Sequence, residues 1–111
     1  MRPVRIAIPA SLASSVVPLD IIGGRNVSLA VVGVTGVVDI TLQYTLDDVY
    51  SSSFNPATAN WFSLGAAGIA AAVQRNLADS GGAPIVATGV RALNAGAGTA
   101  TLQVTTSGIR G

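Results

Sequence analysis

Between positions 37 and 45 the chain alternates without a break. Val38, Ile40, Leu42 and Tyr44 fall on one side, Asp39, Thr41, Gln43 and Thr45 on the other. Successive side chains of an extended strand point to opposite faces, whereas a helix would scatter these residues around its circumference. The segment therefore reads as a strand with one face in a core and the other in water. Residues 26–32 alternate in the same way, Val27, Leu29 and Val31 against Ser28, Ala30 and Val32, and Gly33 and Gly36 bracket the turn that follows. Two alternating runs joined by a glycine turn predict a β-hairpin.

The pattern returns near the C-terminal end of the sequence. Ala100, Leu102 and Val104 alternate with Thr101, Gln103 and Thr105, and residues 85–93 form the matching run across a turn at 94–98. This predicts a second hairpin, with Leu42, Tyr44, Leu102 and Val104 as core residues. Shorter strands are predicted at 4–8, at 15–22 and around Trp61–Phe62–Ser63. The Ala-rich run 64–78 suits either a short helix or an irregular strand and turn, because alanine favours helix while Gly65 and Gly68 oppose it; the surrounding strands favour the irregular reading. Turn residues recur about every ten positions, which points to an all-β antiparallel sandwich, jelly-roll or immunoglobulin-like, over residues 1–111 as one domain. Residues 1–14 read as an extended N-terminal arm or first strand. Arg2 and Arg5 followed by apolar residues faintly imitate a signal peptide, but Pro9 cuts the apolar run short of the usual h-region. No run reaches the roughly 20 apolar residues of a membrane-spanning helix.

What the sequence omits bounds the chemistry. It has no Cys, His, Lys or Glu, and its charge rests on six Arg and five Asp. Zinc, copper and haem sites draw on Cys and His, and a nucleophilic triad or Ser-Lys dyad needs an imidazole or amine base. The expectation is a non-enzyme with no metal site and no cofactor. The net charge of +1, on scattered Arg, gives no basic patch for nucleic acid. Charged residues make up 10% of the chain against 50% hydrophobic, well below the roughly 25% charge of ordinary soluble domains. Such a surface is expected to seek protein partners, and edge strands without lysine lack a common safeguard against pairing. A homo-oligomer is therefore expected.

The candidate partner-binding residues are Arg2 and Arg5 in the N-terminal segment and Tyr50 and Phe54 in the loop before Trp61, since loop aromatics and arginines are common interface anchors. Trp61 is expected to close one end of the core. Asp47–Asp48, with the hydroxyls of Ser51 to Ser53, offers oxygens of the kind a hard cation takes, but six to eight are usual for calcium; the preferred reading is a turn in which each Asp accepts from the backbone two residues on. The glycine pairs lack phosphate-loop spacing.

Gln43-Tyr44-Thr45-Leu46-Asp47-Asp48, Trp61-Phe62, Val90-Arg91-Ala92-Leu93-Asn94 and Gly98-Thr99-Ala100-Thr101-Leu102-Gln103-Val104 together resemble a pattern found in small virion proteins of tailed bacteriophages. The resemblance spans residues 26–106 and departs from the pattern in the Ala-rich insert at 64–73 and in the absence of Lys. It implies a capsid decoration (cement) protein located in the virion, with the major capsid protein or another virion protein as partner, and a trimer as the homo-oligomer. The rival reading is a carbohydrate- or receptor-binding β-sandwich module of a tail fibre or adhesin. From the residue inventory, chelator-washed protein is expected to carry no stoichiometric zinc on elemental analysis; one zinc per chain would contradict the inventory argument.

Overall fold

The computed structural model describes residues 4–19, 26–78, 85 and 87–107. Eight strands run in chain order: β1 (Val4–Ile8), β2 (Val17–Pro18), β3 (Asn26–Thr35), β4 (Ile40–Thr45), β5 (Trp61–Ser63), β6 (Val73–Asn76), β7 (Gly89–Asn94) and β8 (Thr99–Ser107). They form two antiparallel four-stranded sheets, ordered β1-β8-β3-β6 and β2-β7-β4-β5. The first strand pairs with the eighth, the second with the seventh, the third with the sixth and the fourth with the fifth. This nested pairing is that of a long hairpin rolled into two layers, the jelly-roll form of the sandwich.

Both predicted hairpins are corrected by this topology. β3 pairs with β8 and β6, and β4 pairs with β7 and β5, so the consecutive strands β3 and β4 lie in opposite sheets, as do β7 and β8. Alternation tells which side chains face inward but not which strand lies alongside, because a strand folding across the core keeps the same inward set. The backbone supplies the crossing. The β3–β8 register shifts between Val32 and Thr35, and Gly33 and Gly36 adopt φ of 61° and 78°, left-handed values that glycine reaches without steric cost. The chain thereby leaves one sheet and arches into the other.

The inward faces match the sequence expectation. Leu42 and Leu102 are fully buried, Val104 nearly so, and Tyr44 packs partly exposed against the same cluster. Ile8, Leu29, Val31, Ile40 and Val90 complete the centre of that cluster. β1 belongs to its sheet rather than forming a free arm: Val4, Ile6 and Ile8 stand opposite Val104, Leu102 and Ala100. Of the strand expected at 15–22, Val17–Pro18 pairs with β7, and residues 20–22 lie outside the described residues. The 64–78 run contains no helix; it is irregular up to β6. Arg75 on β6 stands opposite Leu29, on the inward side of an edge strand, and its guanidinium donates to the Leu64 and Ala66 carbonyls at 2.9 Å each. One cation thus closes the open side of the roll between β5 and β6. Substituting Leu102→Ala is expected to cost about 2–5 kcal/mol, and Gln103→Ala, on the outer face, about 0.5 kcal/mol; urea midpoints of the two variants test the facing.

Candidate partner-binding surface

Tyr50 and Phe54 lie in the long connection from β4 to β5 at one end of the roll. Local bonds order it. Asp48 accepts from the Tyr50 amide at 3.0 Å, the expected turn two residues on. Asp47 does otherwise: its carboxylate accepts from the Asn60 amide at 2.8 Å and so ties the two feet of the loop together. Tyr50 is 69% exposed, while Phe54 is half-buried beside a hollow of about 330 Å³ lined by Asp47, Asp48, Ser51 and Asn55. Among the described residues no group of three or more Asp, Glu, His or Cys comes together. Asp48 thus makes the expected turn, and Asp47 a clasp across the loop.

Trp61 corrects another expectation. It is half-buried on the outer face of its sheet instead of closing the core, since it pairs with Thr45 and its neighbour Phe62 pairs with Tyr44. Phe62 takes the inward parity and stacks on Tyr44 with ring centroids 5.6 Å apart. Trp61 instead donates from Nε1 to the Pro56 carbonyl at 2.9 Å, and the Arg91 guanidinium lies 4.1 Å from its ring centroid. A cation over an indole face is attracted by the ring quadrupole. Arg91 also donates through Nε to Gln43 Oε1 at 2.8 Å. Partial burial lowers the Arg91 pKa from its ordinary value, and a guanidinium remains cationic at neutral pH. Three strands are joined on this face by one side chain.

Arg5 repeats that bond on the other sheet, donating through Nε to Gln103 Oε1 at 2.8 Å. Thr41-Leu42-Gln43 and Thr101-Leu102-Gln103 are the same tripeptide in the sequence, each with Leu inward and Gln outward to an arginine on a neighbouring strand. Arg5 stands on β1 of one sheet, whereas Tyr50 and Phe54 lie in the connection between two strands of the other, and no hydrogen bond among the described residues links them. Arg2 lies outside the described residues.

The opposite end of the roll carries features that the sequence reading missed. Asn94, 1% exposed, sits where three connections meet. Its Nδ2 donates to the Pro9 carbonyl at 3.1 Å and the Gly98 carbonyl at 2.9 Å, and its Oδ1 accepts from the Asp39 amide at 3.2 Å and the Gly96 amide at 2.8 Å. Two donors and one acceptor oxygen are all in use. Gly96 and Gly98 let the backbones close: a Cβ on Gly96 would stand 2.6 Å from the Val37 carbonyl oxygen, and one on Gly98 2.4 Å from that of Thr35. Ser11 holds φ of 58°, the left-handed region, and donates from its amide to the Gly96 carbonyl at 2.9 Å. Beside these loops Val37 is 77% exposed and Leu12 62%. An Asn next to a Gly-rich turn was the available sequence signal.

No family model, curated protein or solved structure matches this chain. Asn94→Ala would leave the Gly96 amide and three further backbone groups without their partner; with about 1–3 kcal/mol for each buried group left unsatisfied, a loss of at least about 4 kcal/mol is expected, read from thermal and urea unfolding.

Proposed function

We propose that this chain is a non-enzymatic structural protein of a phage virion, a capsid decoration protein that binds and stabilises the shell. The observation that carries the binding reading is how the described polar side chains are employed. Arg5, Arg75, Arg91, Asp47, Asp48 and Asn94 all hold strands or loops in place, while large apolar side chains such as Val37, Tyr50, Leu12 and Leu46 face solvent at the ends of the roll. A frame of this kind presents surfaces and offers no described pair of groups for acid–base work. The virion setting rests on the resemblance, whose segments fall on β4, β5, β7 and β8, and on the jelly roll as a form used by viral capsid proteins. Fold analogy alone does not fix function, and lectin domains use the same form.

Against the glycan-binding rival stands the state of Trp61. A sugar ring stacks on a bare aromatic face, and the Arg91 guanidinium already covers one face of this indole. The expected assembly is a homo-oligomer, a trimer by resemblance, since two-residue β2 and three-residue β5 edges are short but the five-residue β1 edge is not capped by Lys.

The test is cosedimentation of purified protein with empty shells of the major capsid protein encoded alongside it. Saturable binding at a fixed ratio per capsomer is expected, with shells more resistant to heat or chaotrope. Absence of binding to shells, together with selective binding on a glycan array, would replace this reading by the adhesin-module one.

A further inference from the structure

Three connections converge at one end of the roll: residues 9–14 leaving β1, residues 36–39 between β3 and β4, and residues 95–98 between β7 and β8. We infer that this end, through Leu12, Val37 and Asp39, is a preformed docking surface for a protein other than this chain, one presenting an apolar recess bordered by an arginine or lysine.

The end is rigid by construction. Asn94 ties Pro9, Asp39, Gly96 and Gly98 together with four hydrogen bonds, and the Asn94 amide donates to the Leu12 carbonyl at 3.0 Å. Ser11 is the one described non-glycine residue at positive φ. A left-handed non-glycine residue is strained, and such strain persists only where the surroundings over-determine it; it clusters at functional sites. Here its consequence is concrete: the residue that follows, Leu12, is held 62% exposed. Val37 is the most exposed of the described large hydrophobic side chains, at 77%. Stability alone would favour polar residues at both places, since neither side chain belongs to the core. Anchors fixed before binding lose little conformational entropy when a partner covers them.

Charge selects the partner. Asp39 is exposed, and among the described residues no donor lies within hydrogen-bond distance of its carboxylate. No other charged residue occurs in segments 9–14, 35–39 or 94–98. A complementary surface is apolar opposite Leu12 and Val37 and basic opposite Asp39. A second copy docking end to end would bring no basic residue to Asp39, because these segments hold none, so the surface does not complement itself. The loop with Tyr50 and Phe54 is a weaker anchor, since Phe54 is half-buried and both Asp neighbours are engaged in loop bonds.

This inference rests on the chain being a binding protein and not on its partner being a capsid. p-Benzoylphenylalanine is placed at position 37 or, separately, at position 50 in the full chain, in the cells that express it, and cross-linked peptides are sequenced by mass spectrometry. Expected is a cross-link from position 37 to one partner protein, at an apolar peptide with Arg or Lys within a few residues, with little from position 50. Asp39→Lys, added to the position-37 probe, is expected to reduce the yield about tenfold with an unchanged melting curve. A cross-link from 37 to another copy of this chain, to many unrelated proteins, or to nothing overturns the inference, as does equal or greater yield from position 50 or an unchanged yield with Asp39→Lys. If the partner is a protein other than a capsid subunit, the docking end stands and the decoration reading falls.

Discussion

One buried amide carries the order of this fold. Asn94 is the last residue of β7, and its side chain bonds the connections that follow β1, β3 and β7. Each of those connections leaves one sheet for the other, so each exposes backbone groups that no ladder satisfies. Buried backbone amides and carbonyls without partners cost free energy comparable to a lost hydrogen bond. A single planar group with two donors and an acceptor meets that need at four points at once. Glycines 96 and 98 are the counterpart, because only a residue without Cβ lets the 95–98 backbone come this near to residues 35–39.

The inward sets of β3, β4 and β8 were legible in the sequence because alternation is a property of the extended chain itself, although Thr45, assigned to the water face, is buried. Strand neighbours were not. The 37–45 run pairs with 89–94 and 61–63, not with the run before it, and nothing in its own residues distinguishes these outcomes. The parity of Trp61 was lost for a similar reason. A three-residue strand has too few positions to show which side is apolar, and only its register with Tyr44 and Thr45 decides it. The Ala-rich run went to irregular structure because Gly65 takes φ of 75° beside the Arg75 guanidinium, whose bonds need the carbonyls a helix would have used internally. Candidate site residues were chosen for being aromatic or charged. The exposed end is built from Leu12, Val37 and a strained Ser11, residue types that carry no such flag in a sequence.

The few charges are used sparingly and in parallel ways. Arg5 with Gln103 and Arg91 with Gln43 each clasp neighbouring strands across an outer face, and Arg75 closes an edge. Charge-assisted hydrogen bonds of this kind are stronger than neutral ones, and an arginine is spared the large desolvation cost when half its surface stays wet. The outer faces are left largely uncharged, with Thr, Ser, Gln and Asn in their ladders, which is a surface suited to lying against other protein.

The nested pairing also sets a timetable for synthesis. Arg5 bonds Gln103 across 98 positions of sequence, so β1 leaves the ribosome long before the strand it will lie beside. At about 5–20 residues per second, that interval is roughly 5–20 s. Throughout it Ile6 and Ile8, destined for the interior, have no sheet to join. Pro9 at the end of the strand keeps this apolar stretch short, which limits what it offers a stray strand from another nascent chain. The first of the described strands to be made is the one whose place is completed last, and its shortness suits the wait.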